Sequence, residues 1–209
     1  MKKNLPFVFF LSLFLSTTFH TVAQELLHHN IIKVTFLSFI TGSTKITYER
    51  ATRPHQSVEI TGGIIGWGYD KFSVNPKGGL VRVAYKFILY SKSPSPLNGF
   101  YIKPEVAFSH FHYNVIDDDF SHNRVLSSWL TLMACPGYQW VKKWFVFDGF
   151  AGIGLGMGTN TKFQYHHGFI DRFKCLTLTF GMKVGVAFGG KHISKKHVNL
   201  QSENQDNFN

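Results

Sequence analysis

From Cys175 to Phe188 the chain alternates without a break. Leu176, Leu178, Phe180, Met182, Val184, Val186 and Phe188 take every second place, with Cys175, Thr177, Thr179, Gly181, Lys183, Gly185 and Ala187 between them. A period of two sorts these sets onto opposite faces of a β-strand, whereas a helix would mix them. The same pattern recurs along the chain. It runs through Ile32, Val34, Phe36 and Ile40; Ile46 and Tyr48; Val58, Ile60 and Ile64; and Val81, Val83, Tyr85, Phe87 and Leu89. It continues through Phe100, Ile102, Pro104, Val106 and Phe108; Leu130, Leu132, Ala134, Pro136, Tyr138 and Trp140; and Phe145, Phe147, Gly149, Ala151, Ile153, Leu155 and Met157. With 175–188 this predicts eight strands and an all-β fold.

The connections alternate as well. Thr52 to Gln56, Ser91 to Asn98 and Lys142-Lys143 are compact or carry proline, as tight turns require. Residues 70–77, 116–127 and 159–174 are longer and polar, and Thr41-Gly42-Ser43 is short. An even strand number with short turns at one end and long loops at the other predicts an eight-stranded antiparallel up-and-down transmembrane β-barrel, loops outside and both ends of the chain in the periplasm.

Residues 1–23 read as a secretory signal peptide: Lys2 and Lys3, an apolar stretch from Leu5 to Leu15, then Thr21-Val22-Ala23 before a cut at Gln24. Removing it takes two lysines, leaving 20 basic against 12 acidic residues from the 22 and 12 of the full chain. An exported basic chain has no nucleic acid to meet, and its anionic partners become lipid phosphates or acidic sugars. The barrel is expected over 24–189 and a disordered polar tail over 190–209.

Alternation alone fits a soluble lipocalin-like barrel with its apolar face inside, or a membrane barrel with that face on lipid. Lys33, Lys45, Glu49, Glu59, Arg82, Lys86, Lys103, Glu105, Asp148 and Lys183 all fall opposite the apolar face. The rest of that face is mostly Thr, Ser, Gly and Ala, too sparse in charge for a soluble exterior. An eight-stranded barrel is just wide enough for its interior to be filled by side chains, so these ten residues are expected to form a structural set of luminal ion pairs. Tyr48, Phe87, Phe100, Tyr138, Trp140, Phe145 and Phe188 fall on the apolar face near the compact turns, the place of an aromatic girdle at a membrane boundary.

Residues 31–188 resemble the small outer-membrane β-barrel proteins of Gram-negative bacteria, the OmpA-like and OmpX-like eight-stranded barrels. The most specific stretch is Thr179-x-Gly181-x-x-Val184-x-Val186 with Phe188, similar to the terminal signal by which such barrels are recognised for insertion. A tail of 21 residues follows Phe188, where family members commonly end at that aromatic. The resemblance implies the cell outer membrane as location, its lipid and lipopolysaccharide as surroundings, contact with the barrel-insertion machinery through the last strand, and a monomer.

Candidate chemistry is sparse. His110, His112, His122, His166 and His167 gather near the loop end without the spacing of a metal motif. Asp117-Asp118-Asp119 lacks the spaced ligands and glycine of a calcium loop. Gly152-x-Gly154-x-Gly156 lies inside a strand, where it gives room in a narrow barrel rather than cradling a nucleotide. Cys135 and Cys175 are expected as free thiols, too far apart to bridge. No catalytic residue, cofactor or metal is expected. His110 beside Ser128 is the one nucleophile–base pair that can be constructed, and neither has an evident acidic partner. The expected function is therefore structural or surface interaction through the long loops. A small enzyme acting on lipid A and a soluble ligand-binding barrel are the alternatives.

Overall fold

The computed structural model describes residues 26–70, 73–91, 97–116, 122–159, 176–189 and 191–192. The expected signal peptide, Asp117 to Asp119, His166, His167, Cys175 and positions 193–209 of the tail lie outside the described residues. Eight strands close into a barrel: β1 (Asn30–Thr35), β2 (Ser43–Arg53), β3 (Gln56–Ile65), β4 (Lys77–Tyr90), β5 (Gly99–Ile116), β6 (His122–Lys142), β7 (Phe145–Thr159) and β8 (Leu176–Phe188). Each strand pairs antiparallel with its neighbour in sequence, and β1 pairs with β8 from Asn30↔Phe188 to Thr35↔Lys183. The fold is thus an eight-stranded up-and-down barrel, with no sheet edge left by the circuit as a whole.

Three elements depart from the sequence expectation. The first strand does not run on to Ile40: after Thr35 the chain turns through a 3-10 turn, Phe36–Phe39. Ser38 Oγ donates to the Thr35 carbonyl at 2.7 Å and Thr41 N to the Ser38 carbonyl at 3.1 Å, so short-range bonds replace the ladder there. Residues 116–127 are not chiefly loop. β5 and β6 stay paired to Ile116↔His122, which leaves only 117–121 between them. Asn123 and Arg124 are exposed, so ladder pairing rather than an apolar face holds this stretch extended. Finally, Lys191–His192, expected in the tail, pairs with Leu26–Leu27 beside the β1–β8 seam.

Pro104 and Pro136 lie in mid-strand, and each lacks an N–H for one neighbour. The β4–β5 ladder is interrupted between Ala84↔Glu105 and Phe87↔Ile102, and the β6–β7 ladder between Ala134↔Ile153 and Gly137↔Phe150. In both gaps the register is the same on either side, so proline removes pairing locally without shifting a strand.

The interior is layered. Ile31, Leu97, Val146 and Ala187 form a buried apolar cluster at the end holding the chain termini and tight turns. Ile65, Leu80, Phe111 and Tyr113 form another towards the loops. Charged side chains fill the space between. Large inward groups fit because their register partners on the adjacent strand are glycine: a Cβ on Gly137 would lie 2.4 Å from the Tyr101 hydroxyl, and one on Gly181 2.8 Å from the Phe150 ring.

Gly137→Ala should therefore lower the unfolding free energy by about 1–3 kcal/mol through overpacking. Gly149→Ala, whose Cβ would meet nothing nearer than 4.0 Å, should change it by no more than about 0.5 kcal/mol. Urea unfolding of the refolded barrel in lipid vesicles, followed by tryptophan fluorescence, measures both.

Candidate functional site

Strand alternation points every second side chain inward, and closure brings side chains from opposite walls together. All ten of Lys33, Lys45, Glu49, Glu59, Arg82, Lys86, Lys103, Glu105, Asp148 and Lys183 are buried. Lys33 of β1 sits at the centre: its Nζ lies 2.6 Å from Glu49 Oε2, 2.6 Å from Asp148 Oδ2, 2.9 Å from Glu59 Oε2 and 3.0 Å from Gln139 Oε1. Lys86 of β4 approaches the same groups, at 3.1 Å from Glu49 Oε1, 3.4 Å from Asp148 Oδ2 and 2.8 Å from Gln139 Oε1.

Glu59 of β3 is the shared acceptor. Lys103 reaches its Oε1 at 2.7 Å, Lys183 contacts the same oxygen, and Lys33 and Lys86 meet Oε2. Towards the loops, Glu105 receives Lys103 at 3.0 Å and Arg82 at 3.1 Å. Each carboxylate thus faces at least two cations, which offsets the desolvation of placing charge in a closed lumen.

Two members of this network were not among the residues singled out from sequence. Tyr101 donates to Asp148 Oδ1 at 2.5 Å, and Gln139 spends its amide on the Leu97 carbonyl at 2.7 Å while its oxygen accepts from both lysines. A neutral Gln or an aromatic on an inward face carries no charge signal, so only the cross-barrel distance reveals it. Lys45 is the exception among the ten. It is buried but makes no ion pair or hydrogen bond among the described residues.

Glu49, Glu59 and Asp148 place carboxylate oxygens within 4.8 Å of one another, a spacing suited to a metal ion. The Lys33 ammonium already contacts all three. The carboxylates therefore act as a cage for an internal lysine, and a metal has no room between them.

On the outer face, the girdle residues Tyr48, Phe87, Phe100, Tyr138, Trp140, Phe145 and Phe188 are exposed and ring the tight-turn end, joined there by Trp144. Trp140 and Phe145 meet edge to face with centroids 6.4 Å apart. A second exposed aromatic set, Phe36, Phe39, Trp67 and Tyr69, stands at the loop end. Of these only Phe36 falls in the strand periodicity, because the set rides on the 3-10 turn and the β3–β4 connection. Tyr69 N donates to the Phe39 carbonyl at 2.9 Å, tying the two segments together.

The remaining candidates separate. His110 Nδ1 and Ser128 Oγ lie 2.8 Å apart on the outer face, and among the described residues no carboxylate bonds to either. His112 meets Arg124 instead. Cys135 is a buried free thiol. A Cβ on Gly152 would lie 2.4 Å from Cys135 Sγ, and one on Gly156 2.6 Å from Trp129 Nε1, so that glycine run makes room for neighbouring side chains.

No family model and no curated protein matches the chain. Among solved structures, the chain is similar to the N-terminal β-barrel domain of Pseudomonas aeruginosa OprF. The identity is 14%, the match covers 78% of this chain and 100% of that one, and the TM-score is 0.46.

Because Glu59 answers four lysines, Glu59→Gln should strand buried positive charge and cost about 3–5 kcal/mol. Lys33→Met should do the converse to three carboxylates and cost a similar amount. Equilibrium unfolding in vesicles measures both, and a loss below about 1 kcal/mol in each would show that water, not the ion pairs, carries the lumen.

Proposed function

We propose that this chain is an integral outer-membrane β-barrel protein with a structural or surface-interaction role and no catalytic one. The observation that carries this is reversed polarity: the ionisable network is inside, while the large apolar side chains of all eight strands are exposed outside. Between the ends of the strands no outward residue is charged. Arg50, Arg53 and Lys142 lie at the turn end, and Lys77 and Arg124 at the loop end. A surface of this kind is stable only against hydrocarbon.

The layered interior supports a closed scaffold rather than a pore, since side chains fill the section between two apolar clusters. Strand length supports a surface role. About 9–11 residues span a membrane, whereas β5 has 18 and β6 has 21. Their paired ends, Tyr113 to Ile116 with His122 to Val125, therefore stand beyond the bilayer as a stiff projection. Lipopolysaccharide sugars, or molecules on another cell, are the partners within its reach. The last strand, with Phe188 exposed at its end, is the segment offered to the insertion machinery, and one closed circuit suits a monomer.

The His110–Ser128 contact favours a second reading, a lipid-modifying enzyme at the outer leaflet, because a nucleophile and a base lie within bonding distance. Mass spectrometry of lipid A separates the two. The structural role expects identical acylation in cells making native protein or Ser128→Ala, and a difference between them would move the function to catalysis.

Location is tested by fractionation with heat-shifted gel mobility. The folded protein should leave with outer-membrane fractions and change mobility on boiling; release with the soluble periplasm and mobility indifferent to boiling would overturn the proposal. Val106→Arg, at a lipid-facing site in mid-barrel that is 48% exposed, should cost about 2–4 kcal/mol in vesicles.

A further inference from the structure

The luminal charge does not close. Among the described residues the interior holds six basic side chains, Lys33, Lys45, Arg82, Lys86, Lys103 and Lys183, against four acidic ones, Glu49, Glu59, Glu105 and Asp148, an excess of two basic groups. The excess is not spread evenly. Lys33 and Lys86 lie between Glu49 and Asp148 on the turn side. On the loop side Lys103, Lys183, Arg82 and Lys45 share only Glu59 and Glu105.

Lys45 is the group left over. It is 6% exposed and has no ion pair or hydrogen bond among the described residues. The neighbouring strand is cut back to admit it, since a Cβ on its register partner Gly63 would lie 3.0 Å from Lys45 Cγ. It lines a cavity of about 20 Å³ together with Arg82, Lys183 and the hydroxyl residues Thr35, Ser38 and Thr61. That is room for about one water-sized occupant. The cavity lies at the seam where the β1 ladder stops at Thr35↔Lys183 while β8 continues to Leu176, and the Phe36–Phe39 turn covers the opening.

We propose that this cavity is a binding site for one small inorganic anion of halide size, held between Lys45 and Lys183 and reached past the 3-10 turn. Water could satisfy the hydrogen-bond donors around it but would leave the charge uncompensated. A halide does both, accepting from the lysines and from the hydroxyls of Thr35 and Thr61.

Crystals of the folded full chain grown in detergent with sodium bromide test the site directly. An anomalous bromine peak in contact with Lys45 Nζ is expected, and an ordered lumen without that peak overturns the proposal. Thermal unfolding at equal ionic strength in bromide and in gluconate gives a second measurement. At roughly five times the dissociation constant, bromide should raise the midpoint by about 2–4 °C, and Lys45→Met should remove the difference. Equal midpoints for the native protein in the two salts overturn it as well. Should the variant fail to fold, the crystal and the native protein's salt comparison still decide.

Discussion

A charged ammonium inside a narrow barrel needs a carboxylate from another strand, and this requirement ties the whole circuit together. Lys33 enters from the first strand and finds Asp148, 115 residues later, on the seventh. Glu59 on the third strand receives Lys183, 124 residues away on the eighth. Every strand contributes to one network, the sixth through the neutral Gln139. A register slip of one residue would turn a strand's charges to the outside and its apolar set to the inside. The interior network therefore helps specify register as well as filling space, and it does so only in the closed barrel.

The outside obeys the opposite rule. Exposed Ile, Val, Leu and Phe cover the strands between the two ends, and aromatic side chains collect at both ends of that band. The interior switches from apolar to ionic and back to apolar along the axis, so the scaffold is filled rather than hollow. Such a body has little room for chemistry in its middle. The rim carries the long β5–β6 hairpin and the tied Phe39–Tyr69 segments. His110 and Ser128 meet in this region, and among the described residues no carboxylate bonds to either.

Period-two patterning was enough to assign faces, because a strand's side-chain direction is local: the ten ionisable residues could be turned inward and the girdle outward from spacing alone. The glycine run at 152–156 was likewise legible as a need for room. Other features were not. Phe36 and Ile40 keep the strand period, yet Ser38 hydrogen-bonds back to Thr35 and bends the chain into a turn. Residues 122–127 look like loop by composition, yet ladder pairing with β5 holds them extended.

The amino-acid order by itself determined that this chain forms strands, which face of each is apolar, and that the charges share the other face, since all of this follows from a backbone repeat of two residues. Which charges meet was decided only by the tertiary structure. Partners such as Lys33 and Asp148 depend on closure and on the stagger between strands, which no local pattern encodes. For the same reason Lys45 looked like one more member of the luminal set, and only the packed lumen shows it facing a small cavity with no carboxylate of its own.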